Sequence, residues 1–108
     1  MKVCIIQPAY STDYSKTDLY FEEQVKLIEQ CDDSMDIIVL PEMCDIPCLA
    51  KSRDDADASS KKFNKRILEL CCATAKRCNS MVFVSARHGE IGKQQNATYA
   101  INLRDHLR

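Results

Sequence analysis

A single glutamate, Glu42, follows an apolar segment and a proline in the stretch "DIIVLPEM" at residues 36–43. A carboxylate held at the end of a buried strand loses part of its hydration, which raises its pKa toward the range useful to a general base. Glu42 is therefore the first candidate for a catalytic residue. Its position alone leaves a second interpretation open, in which Glu42 is an ordinary loop residue that caps a backbone amide.

The chain has seven cysteines, and some of them stand close to the spacing of zinc ligands. Cys44 and Cys48 are four residues apart, and Cys71, Cys72 and Cys78 follow later in the chain. Two of the later three fit the apolar face of a predicted helix, and a free cysteine commonly acts as a small buried hydrophobe. We expect no metal and no cofactor. A cysteine-rich metal or redox domain remains the less favoured alternative.

The other polar motifs do not indicate a second kind of chemistry. His88 lies in a predicted turn and His106 lies near the end of the chain, and neither has a cysteine or carboxylate at a useful ligand spacing. After the first predicted strand the chain reads "QPAYSTDYS", which is not the glycine-rich loop that holds nucleotide phosphates. These features argue against a histidine-based metal site and against a nucleotide-binding domain.

The composition excludes several classes of partner. The 108 residues carry 15 basic and 16 acidic side chains, so no overall field favours nucleic acid or an acidic lipid surface. No apolar run approaches the roughly 20 residues of a membrane-spanning helix. The opening "MKVCIIQPAY" lacks the apolar core of a signal peptide, and an odd number of cysteines suits a reducing compartment. We expect one cytoplasmic domain with no membrane and no nucleic-acid partner.

The elements that must position Glu42 alternate between strands and helices. Continuous apolar segments predict buried strands at residues 2–7, 36–40 and 81–86, and an alternating segment predicts a fourth strand at 97–103. Apolar residues at helical spacing predict helices over about residues 18–32 and 58–79. The apolar stripe of the first helix consists of Phe21, Val25, Leu27, Ile28 and Cys31, and that of the second consists of Phe63, Ile67, Leu70, Cys71, Thr74 and Cys78.

The predicted order of elements is β-α-β-α-β-β. Strands that are separated by helices should pair in parallel, and the last two strands should form a hairpin. Ligand sites in such sheets lie outside the carboxyl ends of the strands, and Glu42 stands at that end of the second strand. The near-continuous apolar strands also predict a sheet that is covered on both faces.

The segments "KVCIIQPAY", "DIIVLPEM" and "MVFVSARHGEIGKQQNATYAIN", with a helix between each pair, resemble the N-terminal part of the nitrilase (carbon-nitrogen hydrolase) superfamily. In that family a first strand ending in glutamine precedes a helix, and a strand of aspartate, aliphatic residues, proline and glutamate supplies the catalytic glutamate. A later pair of strands carries an asparagine followed by small residues. The resemblance covers nearly the whole chain, and "DIIVLPEM" is its strongest part.

The resemblance implies an α/β fold in which two sheets pack face to face between outer helix layers, a four-layer αββα sandwich. Residues 1–108 are then expected to be the N-terminal portion of one such domain, with one helix layer and most of one sheet. A chain of this extent is expected to leave one sheet face without full cover, and to self-associate as a homo-oligomer.

The resemblance also implies a chemistry. In that family a cysteine attacks the carbon of a small-molecule amide or nitrile, a glutamate takes the thiol proton and later activates water, and a lysine stabilises the developing anion. Glu42 is the general base in this scheme. The lysine and the cysteine are expected beyond Arg108, because Lys93 precedes the asparagine-containing strand and Cys44 shares the loop of Glu42. The 108-residue chain alone is therefore expected to be inactive.

One departure concerns the loop after Glu42. The family often has an aromatic residue and a glycine there, whereas this chain has "CDIPC" at residues 44–48. Because of this difference, the resemblance does not predict the shape of the loop or of the substrate pocket. A non-catalytic binding or assembly module on the same scaffold is the alternative function.

Overall fold

The structure is a computed structural model that describes residues 1–89 and 95–102. Its elements are β1 (Val3–Ile5), α1 (Thr17–Glu29), β2 (Ile37–Val39), α2 (Arg53–Cys78), β3 (Met81–His88) and β4 (Gln95–Ile101), with a short 3-10 helix (Tyr14–Lys16) before α1. The predicted order β-α-β-α-β-β is confirmed, and the chain forms a mixed α/β domain. Within the described ranges, no helix has the length and apolar character needed to cross a membrane.

The four strands form one sheet in the order β1-β2-β3-β4. The pairs β1/β2 and β2/β3 are parallel, whereas β3 and β4 are antiparallel, as predicted. The register aligns Ile5 with Val39 and Val39 with Phe83. Residues that are aligned in this way project from the same face of the sheet, so each face can be read directly from the register.

One apolar core joins both helices to one face of the sheet. The rings of Phe21 in α1 and Phe63 in α2 stack with their centroids 4.1 Å apart, so the two helices lie side by side. The residues of this core that are 0% exposed are Phe21, Ile28, Ile38, Ile67, Cys71, Ala75, Val82 and Val84. Because these residues come from both helices and from alternate positions of β2 and β3, the core lies between the helix layer and the sheet.

The helix α2 begins at Arg53, several residues before the predicted start. Ser52 caps it, because its Oγ accepts a hydrogen bond from Asp55 N at 3.1 Å. The side chain of Asp55 accepts a hydrogen bond from Lys51 N, one residue before this cap, at 3.3 Å. The first turns of α2 pack through small serines rather than large apolar side chains, so the apolar stripe predicted too late a start.

The opposite face of the sheet has no covering layer among the described residues. Val3 and Ile5 are 53% and 64% exposed, and Met81 and Phe83 are only half-buried. The sequence predicted a sheet that is covered on both faces. In the described structure only one face is covered. We call the other surface the open face, and it consists of Val3, Ile5, Ile37, Val39, Met81, Phe83, Ser85, Thr98 and Ala100.

Candidate functional site

The loops that follow β1 and β2 enclose a pocket of about 290 Å³. Residues 7–10 form one wall, residues 41–43, 46 and 47 form the other, and α1 contributes Tyr20 and Gln24. Glu42 is the one charged residue among the described residues that line it. A mostly apolar pocket with a few polar groups is the usual form of a small-molecule site.

The pocket lies beyond the carboxyl ends of two adjacent parallel strands. Backbone pairing extends one residue past each of them, through Ile6 N to Val39 O at 2.8 Å and through Leu40 N to Phe83 O at 2.9 Å. Pro41 then ends the pairing of β2, because proline has no N–H to donate. Glu42 therefore leaves the sheet at the edge where the topology predicted a ligand site.

The two loops are joined to each other and to α2. Ser11 and Cys48 form an isolated parallel bridge, and Leu49 N donates to Ser11 O at 3.0 Å. The hydroxyl of Tyr14 donates to Asp55 O in the first turn of α2 at 2.7 Å. Because both loops are anchored behind the pocket, the separation of its two walls is fixed by backbone contacts.

Glu42 itself is exposed. The desolvation that the sequence led us to expect at its carboxylate is absent from the described structure. The next residue, Met43, lines the same pocket and has φ = 57°, in the left-handed region that residues with a Cβ disfavour. Such conformations cost about 1 to 3 kcal/mol and cluster at functional sites. A strained turn therefore sets the direction of the chain directly after Glu42.

A buried carboxylate, Asp45, ties the Glu42 loop to α2 and β3. Its Oδ2 accepts hydrogen bonds from Ser60 Oγ at 2.6 Å, Asn64 Nδ2 at 3.0 Å and Arg87 N at 3.2 Å. Its backbone oxygen accepts from Ser59 Oγ at 2.8 Å. Asp45 is 0% exposed, and its Oδ1 has no partner among the described residues. Three elements therefore meet at this side chain, three residues after Glu42.

An ion pair supports the same junction. Arg87 Nη1 and Asp57 Oδ1 lie 2.8 Å apart, and their side chains are only 14% and 17% exposed. Their geometry is that of a charge contact rather than of an aligned hydrogen bond. Asn64 Nδ2 also donates to Arg87 O at 2.6 Å. The end of β3 is thus held against α2 by charge as well as by hydrogen bonds.

Gln24 is a buried polar residue at the base of the pocket. It is 2% exposed and lies on the face of α1 that also carries Phe21 and Ile28. Its Nε2 donates to Cys44 O at 3.1 Å. The amide of Gln24 therefore holds the loop after β2 against α1, and the residue also lines the pocket next to Tyr20.

The thiol nearest to Glu42 in the chain is unsuited to nucleophilic attack. Cys44 is 1% exposed, and its Sγ donates to Pro41 O at 2.8 Å. Burial raises the pKa of the Cys44 thiol to about 12, so the thiolate is scarce near neutral pH. Burial raises the pKa of Cys71 as well. Both thiols lie in the apolar core of the described structure.

Of the two histidines, His88 lies within the described residues, and it does not line the pocket. His88 lies at the end of β3 rather than in a turn, and its Nδ1 pairs with Tyr99 Oη at 2.7 Å on the surface. His106 and Lys93 lie outside the described residues. Among residues 1–89 and 95–102, no group of three or more histidine, cysteine, aspartate or glutamate side chains is arranged to hold a metal ion.

The sequence located Glu42 but missed Gln24, Met43 and Asp45. Gln24 stands three residues after Phe21 and four before Ile28, so helical spacing alone places it among the buried positions. A polar residue within an apolar stripe is a signal that could have been read. The positive φ of Met43 and the long-range contacts of Asp45 have no comparable signal, because both depend on how the loop meets α2 and β3.

The chain matches no protein-family model and no curated protein. The function proposed below therefore follows from its residues, their geometry and the resemblance of its sequence.

Proposed function

We propose that this chain is the N-terminal part of a carbon-nitrogen hydrolase that acts on small amides or nitriles, with Glu42 as its general base. One observation carries the proposal: Glu42 is the one charged residue among the described lining residues of a pocket beyond the carboxyl ends of β1 and β2. This is the edge of a parallel sheet at which ligands bind. The sequence "DIIVLPEM" supports the same residue independently through its resemblance to the nitrilase superfamily.

In the proposed reaction Glu42 removes the proton of a cysteine thiol as the sulfur attacks the carbon of an amide or nitrile. An amide then loses ammonia, which leaves with the proton taken by Glu42, and a thioester remains; a nitrile first gives a thioimidate, which adds water and then loses ammonia to give the same thioester. The thioester is hydrolysed when the same carboxylate activates a water molecule, which releases the acid and the thiol. A lysine stabilises the negative charge that develops on the substrate. This cysteine and lysine are expected beyond Arg108. Their arrival beside Glu42 would supply the desolvation that its carboxylate lacks in the described structure.

The proposed fold of the whole domain is the four-layer αββα sandwich. The open face supports it, since Val3 and Ile5 are large apolar side chains more than half exposed on a sheet whose other face packs against the helices. A second sheet packed on this face would give the strands the cover that their sequences predict. In the 108-residue chain alone this surface is free for a second copy, which supports the proposed self-association of the isolated chain as a homo-oligomer.

The test begins with reading the coding sequence past the codon for Arg108. The turnover of the natural protein is then measured. Ammonia release from a primary amide is measured for the wild type, for Glu42→Gln and for a matched control, Glu23→Gln. Glu23 is an exposed glutamate of α1 that does not line the pocket. We expect Glu42→Gln to lower kcat at least about 100-fold, as the loss of a general base does, and Glu23→Gln to leave it unchanged.

Two results would contradict parts of this proposal. Equal turnover of Glu42→Gln and wild type would remove Glu42 from the mechanism. Turnover by the 108-residue chain alone, lost in Glu42→Gln, would keep the base but would show that the nucleophile lies within these residues.

A non-catalytic assembly module is the second candidate function. The exposure of Glu42 favours it, because active sites usually exclude bulk water from their reacting groups. In that case the open face is the functional surface. A natural protein that ends at Arg108 and folds without turnover would favour this candidate over the hydrolase.

A further inference from the structure

We propose that Gln24 selects primary amides over nitriles in the Glu42 pocket, by accepting a hydrogen bond from the ligand's N–H group. This inference rests on the proposed function and names the substrate class of the same site. The observation behind it is a glutamine that is 2% exposed, lines the pocket and uses only one end of its amide within the described residues.

The orientation of the Gln24 amide is fixed by its partner. A backbone carbonyl such as Cys44 O can only accept, so the group 3.1 Å from it must be the NH₂ end. The other end, Oε1, is an acceptor that has no partner among the described residues. Unlike Asp45 Oδ1, this unpaired oxygen keeps some accessible surface, and Gln24 lines the pocket. A ligand in the pocket that donates to Oε1 therefore gains a hydrogen bond to an acceptor that is already held in place.

The charge of the pocket points to the same class of ligand. Glu42 adds a second acceptor to the lining, and the described lining residues include no lysine, arginine or histidine. A primary amide presents two N–H donors to such a pocket. A nitrile has no N–H donor, so it cannot pair with Gln24 Oε1 or with Glu42. The tyrosines, prolines and methionine of the lining suit an apolar chain attached to the amide.

The experiment compares butyramide with butyronitrile, which have the same carbon chain, in titrations of the ¹⁵N-labelled protein followed by NMR. We expect butyramide to shift the signals of the pocket backbone and of the Gln24 side-chain NH₂, and to bind at least about tenfold more tightly than butyronitrile. The variant Gln24→Met keeps a side chain of similar length and removes the acceptor. In it we expect the preference for butyramide to disappear.

The matched control is Gln7→Met, which makes the same chemical change at an exposed glutamine of the same pocket. We expect this variant to keep the preference. Gln24→Met also loses the contact with Cys44 O, so its backbone spectrum must match that of the wild type before its affinity is interpreted. If it fails to fold, the comparison of the two ligands in the wild type still decides the question.

Equal affinity of the wild type for the two ligands would overturn the inference and leave the hydrolase proposal standing, with its substrate class open. A preference that is lost in Gln7→Met and kept in Gln24→Met would assign the selection to the wrong glutamine and would overturn it too. If neither ligand shifts the pocket signals, the inference fails together with the use of this pocket for substrate. The role of Glu42 as base is then judged separately by the turnover of Glu42→Gln.

Discussion

The two faces of the sheet are built from the same kinds of residue but have opposite surroundings. On the helix-covered face Ile38, Val82 and Val84 are 0% exposed, whereas on the open face Val3 and Ile5 are 53% and 64% exposed. All five are β-branched residues of parallel strands. The difference is therefore caused by what packs against each face and not by the composition of the strands. Burial of a residue in this sheet depends on which side of the strand it occupies.

The largest expected effect comes from placing one charge on each face. Val84→Lys puts an ammonium group among Phe63, Ile67 and other core residues, with no partner for its charge. We expect it to lower the free energy of unfolding by about 4 kcal/mol or more, which removes most of the stability of a small domain. Ile5→Lys places the same group on an exposed edge strand, where lysine is well tolerated, and is expected to change stability by less than about 0.5 kcal/mol.

Urea unfolding followed by far-UV circular dichroism measures both variants against the wild type. Equal destabilisation by Val84→Lys and Ile5→Lys would show that the open face is covered in the isolated chain, and the comparison between the two faces would break.

Removing a polar side chain should also destabilise the protein more at a buried site than on the open face, although by less than burying a charge. Asp45→Ala removes the acceptor of Ser60, Asn64 and the Arg87 N–H at a site that is 0% exposed. We expect it to lower the free energy of unfolding by about 3 kcal/mol, since several buried donors lose their partner. Thr98→Ala removes a hydroxyl that pairs with Ser85 Oγ at 2.9 Å on the open face, and its expected cost is below about 1 kcal/mol.

Chemical denaturation gives both values, and the amide exchange of residues 42–46 adds a local reading. If Asp45 anchors the Glu42 loop, these amides exchange faster in Asp45→Ala than the loss of global stability alone explains. A cost for Asp45→Ala no larger than that for Thr98→Ala would show that the carboxylate is not needed to hold the junction.

The fold could be predicted further than the site. Apolar runs and helical spacing are local properties, so they predicted the four strands and both α-helices of the described residues and the parallel pairing around Glu42, but not the short 3-10 helix before α1. The start of α2 at Arg53 was missed because its signal is the serine cap at Ser52 rather than an apolar stripe. Local patterns could not predict which faces of the sheet are covered, because packing between layers joins residues that are far apart in the chain.

At the candidate site, the sequence identified Glu42 as a residue beside the pocket but not the residues that hold its loop. Glu42 follows from a strand that ends at a proline. Asp45 reaches Ser60 and Arg87, which are 15 and 42 residues away in the chain, so no local pattern announces its contacts. Its burial is a consequence of the finished fold. Gln24 could be predicted in part. Helical spacing predicts its burial, but its hydrogen-bond partner, Cys44 O, lies in the loop after β2, which local patterns do not place beside α1.

The smallest expected effect is on self-association rather than on folding. It tests directly whether the open face is the surface through which copies of the chain bind each other. An apolar open face should bring copies of the 108-residue chain together, because Val3, Ile5 and Phe83 lose their contact with water in such a complex. Ile5→Lys should then raise the dissociation constant of the self-associated form by about tenfold or more, which corresponds to the burial of roughly one aliphatic side chain.

The matched control is Leu19→Lys, which makes a comparable change on α1 at a leucine that is 56% exposed. Sedimentation velocity over a range of protein concentrations compares the three proteins. A wild type that stays a folded monomer at high concentration would contradict the expectation of self-association. Equal weakening by Leu19→Lys would assign the contact to the helix layer instead. A loss confined to Ile5→Lys would mean that the open face, built from the same residues as the core, differs from it only because the chain itself provides no layer to cover it.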